Sequence, residues 1–150
     1  MHNWFECKVS HEKMMENGLQ KKVTEPYLVD ALSFTEAEAR ITEEIKPYIS
    51  GEFTIQTIKR AKLSELFFND NGDKFFKAKV LFVHLDEKSG TEKKTPVYML
   101  AQASDIDEAQ AVIKTGMAGT LADYEIAEVK ETRIMDVFPH SEEEKKKIII

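Results

Sequence analysis

Two short rows that combine an aromatic residue with lysines are the residues whose types and spacing best suit a chemical task. Lys8 lies four residues after Trp4, and Lys77 and Lys79 lie two and four residues after Phe75. Residues two apart lie on one face of an extended strand, so each row can stack a base and hold its phosphates. Such stacking contributes about 1–3 kcal/mol per base. Five more basic residues would extend this surface: Lys59, Arg60, Lys62, Lys130 and Arg133.

A structural role for the two aromatic residues competes with this interpretation. Trp4 and Phe75 would then cover a second small core, and the lysines would keep strand edges from aggregating. The formal net charge of −6 argues against a general polyanion binder, and Glu6 lies within the first row. Single-stranded nucleic acid is therefore the second of two hypotheses for the partner.

Other reactive residue types do not form a pattern typical of catalysis or metal binding. The histidines, at positions 2, 11, 84 and 140, lack the H-x-x-x-H spacing of a metal site. Cys7 alternates with Phe5 and Val9 and is predicted to be a small buried residue. Glu65 and Asp136 lie near corresponding strand ends, where solvated carboxylates are more common than an acid–base pair. We expect no catalytic residue, no cofactor and no metal, and hence a protein that is not an enzyme.

Two segments predict helices with the same start and the same buried face. Ser33 with Glu36, and Asp105 with Glu108, each have the spacing of a capping box at a helix N-terminus. Apolar residues then recur at helical spacing, 72 positions apart in the two segments. They are Phe34, Ala37, Ile41 and Ile45 in the first segment, and Ile106, Ala109, Ile113 and Met117 in the second. A shared cap and a shared face indicate an internal duplication.

Strands flank each helix in the same order. Alternating residues predict a first strand at 4–9 and at 75–80, and each runs into a turn with a glycine, Gly18 or Gly90. The return strands contain Pro26 and Pro96, which predicts that they lie at a sheet edge or carry a bulge. In both third strands the apolar phase slips by one residue, near Gln56 and its counterpart 71 positions later, which predicts a bulge or a strand that changes its buried face.

These patterns predict an α+β protein made of two fused strand-strand-helix-strand repeats. A right-handed crossover would give each repeat the strand order second, first, third. We expect mainly antiparallel sheet of about six strands with two helices, and the patterns leave open whether the repeats form one sheet or two packed sheets. One domain would cover residues 1–140, with repeats at 3–68 and 74–139, and a flexible charged tail would follow at 141–150.

The composition predicts a cytoplasmic location and no membrane association. No apolar run approaches the ~20 residues of a membrane span. The N-terminal residues lack the basic and apolar regions of a secretory signal. The single cysteine cannot form an internal disulfide, which is typical of a reducing compartment.

Three segments resemble a known family. They are residues 4–9, 23–41 and 85–90, with the sequences WFECKV, VTEPYLVDALSFTEAEARI and LDEKSG. They are similar to an uncharacterised family of small cytoplasmic proteins, labelled a domain of unknown function, from Bacteroidetes-type bacteria and some of their phages. The resemblance covers nearly all of residues 3–138. It implies a cytoplasmic protein of that lineage and transfers no functional residue.

We therefore expect a non-catalytic binding or scaffolding module that binds an unknown protein partner or a second copy of itself. The alternative is a single-stranded nucleic-acid-binding protein that uses the aromatic and lysine rows. The two hypotheses differ in salt dependence, because nucleic-acid binding releases counterions and weakens steeply with salt. A protein-binding edge or apolar patch is much less sensitive to salt.

Overall fold

The computed structural model describes residues 3–141 and 145–149 and divides them into two compact units. Residues 3–61 and 133–141 belong to unit 1, and residues 62–132 and 145–149 belong to unit 2. Each unit is therefore assembled from two separate stretches of the chain.

The described residues contain eight strands and two helices. In chain order they are β1 (Trp4–Met14), β2 (Gln20–Asp30), α1 (Phe34–Ile45), β3 (Phe53–Ala61), β4 (Glu65–Phe67), β5 (Lys74–Asp86), β6 (Thr91–Ala103), α2 (Ile106–Gly116), β7 (Asp123–Glu131) and β8 (Val137–Phe138). The protein is thus α+β, as the sequence predicts.

Each unit holds one mixed sheet, and the two sheets have corresponding strand orders. Unit 1 has the order β3-β1-β2-β8, and unit 2 has the order β7-β5-β6-β4. In both, the first three strands pair antiparallel and the short fourth strand pairs parallel to the return strand. The predicted order of second, first and third strand is therefore present in both sheets.

The described residues form eight strands, more than the six or so predicted, and they form two mixed sheets where the sequence left one sheet or two open. The described part of the chain has two separate sheets, each with an added parallel strand, β4 or β8. These strands are three and two residues long, too short to show an alternating pattern. Their partners are far away in sequence, since Leu66 pairs with Leu100 and Val137 with Leu28. Sequence periodicity carries no information about such pairings.

Local signals placed the helices and turns correctly. The Ser33 hydroxyl accepts a hydrogen bond from the Glu36 amide at 3.1 Å, and the Asp105 carboxylate accepts one from the Glu108 amide at 2.8 Å. Both hairpin glycines have positive φ, 82° at Gly18 and 67° at Gly90, as tight hairpin turns require. The caps and turns thus follow from backbone donors that need partners and from backbone angles that suit glycine.

Each helix covers one face of its own sheet and buries an apolar core. The unit 1 core combines α1 residues with alternate residues of β1 and β2: Phe5, Cys7, Val9, Tyr27, Val29, Ala37, Ile41 and Ile45. The unit 2 core is built in the same way from α2, β5 and β6: Phe76, Ala78, Val80, Met99, Ala101, Ala109, Val112 and Ile113. The first residue of each predicted helical face, Phe34 or Ile106, is 48% exposed because it lies in the first turn.

Both third strands contain the predicted bulge. The register of β3 against β1 skips Gln56 between the pairs Lys8–Thr57 and Val9–Ile55. The register of β7 against β5 skips Ala127 in the same way. The extra residue brings the apolar side chains on both sides of the bulge onto the core face.

The return strands β2 and β6 are not edge strands, because β8 and β4 pair with them over a few residues. At the prolines, however, each return strand has a neighbouring strand on one side only. Pro26 pairs with Lys8 of β1, and Pro96 pairs with Leu81 of β5. The short strands β8 and β4 begin their pairing only beyond these positions, at Leu28 and Met99. Each proline therefore lies where its missing amide donor costs little.

The described part of the predicted flexible tail contacts unit 2. Lys147 forms a parallel bridge with Phe68, and the Ile148 amide donates to the Phe68 carbonyl at 2.7 Å. Ile148 is 9% exposed and belongs to the unit 2 core. Residues 142–144 and 150 of the predicted tail lie outside the described residues.

Candidate functional site

The two aromatic residues of the sequence-predicted surface are buried. Trp4 and Phe75 are each 5% exposed, although they lie on the sheet faces opposite the helices. A base can stack only on a ring whose face is open. In this conformation the rings offer almost no such face, so the lysines carry what remains of the predicted surface.

Three lysines and a tyrosine line a hollow on the helix-free face of unit 2, which we call the lysine hollow. Its volume is about 280 Å³, and its lining residues are Lys77, Lys79, Tyr98, Glu128 and Lys130. In the register of the sheet, Lys77 lies opposite Lys130, and Lys79 lies between Tyr98 and Glu128. The hollow therefore contains three positive charges and one negative charge.

The contacts within the lysine hollow leave an excess of positive charge. The Lys77 ammonium lies 4.9 Å from the centre of the Tyr98 ring, within the range of a cation–π interaction. The Lys130 ammonium lies 3.7 Å from a Glu128 carboxylate oxygen. Like charges that face each other across strands destabilise a sheet, so a bound anion would relieve the opposition of Lys77 and Lys130.

The corresponding positions of unit 1 form an ion pair. Glu6 lies opposite Lys59 in the register, as Lys77 lies opposite Lys130, and their charged atoms are 3.4 Å apart. Lys8 corresponds to Lys79 and is exposed. The helix-free face of unit 1 therefore carries less unbalanced positive charge than that of unit 2.

The remaining predicted basic residues do not join the lysine hollow. The Arg60 guanidinium lies over the Phe5 and Phe34 rings, 5.0 Å and 5.4 Å from their centres, so it faces the helix side of unit 1. Lys62 is exposed and belongs to unit 2, outside any strand. The predicted surface is thus divided: of the ten residues predicted for it, only Lys77, Lys79 and Lys130 line the lysine hollow.

The outer strands β3 and β7 present a second kind of candidate site. Each is nine residues long, contains no proline and forms the end of its sheet. Within the described residues, β3 pairs only with β1 and β7 only with β5. Their outer edges therefore present backbone donors and acceptors to which another strand can be added.

A polar cleft of about 580 Å³ lies near the protruding end of the first hairpin. It is lined by Ser10, Lys22, Glu52 and neighbouring residues. The His11 ring nitrogen Nε2 is 2.6 Å from a Glu25 carboxylate oxygen. The Ser10 hydroxyl is buried without a hydrogen-bond partner among the described residues. Adjacent residues of a strand point to opposite faces, so Ser10 and His11 are not arranged as a nucleophile and its base.

Arg40 is an important residue that the sequence interpretation missed. Its guanidinium donates to the Phe138 carbonyl at 3.3 Å, to the Pro139 carbonyl at 3.1 Å and to the Asp30 carbonyl. A fourth contact, an ion pair with Glu44 at 3.3 Å, follows the i,i+4 spacing of α1. Arg40 thus connects the helix of unit 1 to β2 and to the segment that contains β8. An arginine on an amphipathic helix gives no sequence signal for such a role.

In unit 2, the side-chain amides of Asn69 and Gln102 connect the turn after β4 to β6 and α2. The Asn69 backbone N–H donates to the Gln102 side-chain oxygen at 3.1 Å, and the Asn69 side-chain amide donates to a Glu108 carboxylate oxygen at 2.9 Å. Gln102 in turn donates to the Gly72 carbonyl at 3.0 Å. A Cβ atom at Gly72 would overlap the Ala103 backbone. The turn after β4 therefore packs directly on the end of β6.

Burial makes the thiol of Cys7 a poor nucleophile. Removal from water, with a smaller effect of the nearby Glu6 charge, raises the pKa of Cys7 to about 12. Burial, followed by the charges of Glu25 and Asp136, raises the pKa of Tyr27 to about 12. Both groups are therefore neutral at physiological pH, as expected for Cys7. Among the described residues, no group of three or more His, Cys, Asp or Glu is placed to hold a metal ion.

The fold and its surfaces define a small α+β protein of two four-stranded sheets, each covered by one helix. Residues 3–140 match the family described as a domain of unknown function (DUF4494), and the chain belongs to that family. Comparisons with curated proteins and with solved structures found no match. Within the described residues, no helix is long and apolar enough to cross a membrane.

Proposed function

We propose that the protein is a non-catalytic binding module that takes up a protein partner along the outer edge of β3 or β7. The observation that supports this most is the length of these edges. A nine-residue strand with one open edge and no proline can form a ladder with an extended segment of a partner. Natural proteins usually shorten or block such edges to prevent aggregation, so two long ones suit a binding role.

Affinity purification from the native host, followed by hydrogen exchange, tests this proposal. Immobilised wild-type protein should retain a partner. Two variants should retain less of it: one with Glu125→Lys and Glu128→Lys on β7, and one with Lys59→Glu on β3. A Lys88→Glu variant, changed in a hairpin turn, serves as the matched control. The purified partner should then slow amide exchange in residues 53–61 or 123–131. Protection confined to other strands would contradict edge binding.

The lysine hollow favours a second candidate function, the binding of single-stranded nucleic acid. Lys77, Lys79 and Lys130 can contact phosphates, and Tyr98 is partly exposed beside Lys77. The ring that stacks on a base would then be Tyr98 rather than Trp4 or Phe75. Three phosphate contacts correspond to a slope of about −2 in log K against log salt concentration for a single strand.

Fluorescence anisotropy of a labelled oligonucleotide at several salt concentrations tests the second candidate. Wild-type protein should bind with the stated slope, and Lys77→Glu should abolish binding, whereas Lys8→Glu on the corresponding face of unit 1 should change it little. Equal losses in the two variants would show that the hollow has no special role.

We also propose that the chain arose by duplication, with repeats at 3–68 and 74–139 in one domain of residues 1–140; the short strand at the end of each repeat, β4 or β8, belongs to the sheet of the other unit. Corresponding strand orders, bulges and helix caps support this. A cytoplasmic location in a Bacteroidetes-type bacterium or phage-infected cell is part of the same proposal, and the resemblance of the sequence supports it. Cell fractionation of the native host with an antibody to the protein tests the location.

A further inference from the structure

We propose that the β3 edge of one molecule pairs antiparallel with the β7 edge of a second copy. This inference rests on the proposed edge-binding function and names its partner. Three properties of the two strands carry it: their charges, the faces on which their side chains lie, and the positions of their bulges.

The charges of the two edges are opposite. Residues 53–61 of β3 contain two basic residues, Lys59 and Arg60, and no acidic residue. Residues 123–131 of β7 contain four carboxylates and a single lysine. Two β7 edges side by side would carry a net charge of −6 and two β3 edges +4, whereas β3 beside β7 carries only −1. Net like charge on adjacent strands is destabilising, so each edge favours the other.

One antiparallel register matches the side-chain faces along both strands. With Ile58 opposite Ile126, Ile55 lies opposite Val129, and all four side chains pack on the helix side of their sheets. In the same register Lys59 lies opposite Glu125, and both lie on the helix-free side, opposite Glu6 and Leu81. Apolar side chains thus meet on one face and opposite charges on the other.

The bulges allow this match to persist along the whole length of the strands. Each strand changes phase by one residue in its middle, at Gln56 in β3 and at Ala127 in β7. In the proposed register Gln56 lies opposite Glu128, the neighbour of Ala127. The two strands therefore change the alternation of their side chains at nearly the same point, and their faces match on both sides of it. A regular strand without a bulge would match either edge over only half its length.

The charged pair is available for this contact. The Lys59 side chain is 65% exposed, and the Glu125 side chain is 49% exposed. Each already has a partner within its own sheet, Glu6 at 3.4 Å and Lys94 at 2.8 Å. Pairing of the edges would join these two ion pairs into a network of four charges. A contact of a single strand pair buries little area, so we expect a dissociation constant of roughly 10–100 µM.

Sedimentation velocity with charge-reversed variants tests the proposal. Wild-type protein should associate between about 5 and 500 µM, a range set by that affinity, and less at high salt because exposed ion pairs are screened. Lys59→Glu alone and Glu125→Lys alone should each remain monomeric. An equimolar mixture of the two variants should associate, because the carboxylate introduced at position 59 of one copy then faces the ammonium introduced at position 125 of the other. Lys88→Glu should behave as wild type.

Two results would overturn this inference. One is a wild-type protein that remains monomeric over the whole concentration range while a host protein still protects β3 or β7 from exchange. That result would leave edge binding intact and remove the second copy as the partner. The other is association of the wild type that both single variants retain, which would place the contact elsewhere.

Discussion

Unit 1 and unit 2 add a short parallel strand to the same position of their sheets but hold it with different chemistry. In unit 1, Arg40 donates from the helix to three backbone carbonyls, two of them just after or within β8. In unit 2, the position 72 residues later is Val112, which is fully buried, and the side chains of Asn69 and Gln102 hold the turn after β4. The pairing of backbones is common to both units, whereas the side chains that secure it are not.

The helix-free faces differ in a similar way. Glu6 and Lys59 form an ion pair in unit 1, where unit 2 has Lys77 opposite Lys130. A common backbone arrangement has thus been combined with balanced charge in one unit and unbalanced charge in the other. Four measurements test how far this difference extends.

The largest effect is expected from the close packing of Gly72. The change Gly72→Ala would force a methyl group into the Ala103 backbone, and backbone cannot move aside as a side chain can. We expect unit 2 to lose about 3 kcal/mol of unfolding free energy, measured by amide exchange in β5 and β6. Gly51→Ala in unit 1, where φ is 93° but the space is open, should cost about 1 kcal/mol. Equal costs would show that the contact with Ala103 is unimportant.

The next effect concerns Arg40. The change Arg40→Met keeps the aliphatic stem and removes the donors to the three carbonyls, so we expect a loss of about 2 kcal/mol. Amide exchange should increase in β2 and β8 and remain unchanged in β5 and β6. Glu44→Gln, which weakens only the contact within the helix, should cost about 0.4 kcal/mol. A loss spread evenly over both units would argue against a local role for Arg40.

Alkaline pH should destabilise unit 1 selectively. The pKa values of Cys7 and Tyr27 are each raised to about 12 in the folded protein, so the unfolded chain ionises first as pH rises. The contribution of these two neutral groups to the unfolding free energy is fully present below about pH 8.5 and is lost progressively as pH rises from there to about 12. We expect a loss of roughly 2 kcal/mol in unit 1 by pH 10.

The second unit provides the control for this pH effect. In the register of β5 against β6, Ala78 and Met99 lie opposite each other, as Cys7 and Tyr27 do in unit 1. Neither can ionise, so the exchange-derived stability of β5 and β6 should fall less than that of β1 and β2. A double variant with Cys7→Ala and Tyr27→Phe should remove most of the difference. If it does not, other groups cause the alkaline unfolding.

The smallest effect is expected from a change that gives unit 2 the charge arrangement of unit 1. Lys77→Glu would face Lys130 as Glu6 faces Lys59, so it should stabilise unit 2 by about 0.5 kcal/mol. Glu6→Lys would create the opposed lysines in unit 1 and should destabilise it by a similar amount. Chemical denaturation of both variants at low salt measures this. If both changes destabilise, the lysine hollow is already compensated by contacts among its own residues.

The features that sequence predicted are those that depend on neighbours in the chain. Ser33 and Asp105 cap helices because the nearest free amides lie within three residues, and the phase slips near Gln56 and Ala127 mark bulges directly. The roles of Trp4, Phe75 and Arg40 depend on segments far along the chain. Alternation in β1 and β5 reveals two faces for each strand, but it cannot decide between an open ring on the polar-looking face and the buried ring of the competing interpretation. The same limit concealed β4 and β8.

The division of each unit into two stretches has a consequence for synthesis on the ribosome. Unit 1 has its helix and three strands once residue 61 has been made, but β8 follows only at residue 137. At about 5–20 residues per second, roughly 4–15 s separate the two events. During that interval the β2 edge of the nascent chain has no strand beside it. Pro26, next to the future site of β8, would then hinder the emerging sheet from pairing with a neighbouring nascent chain.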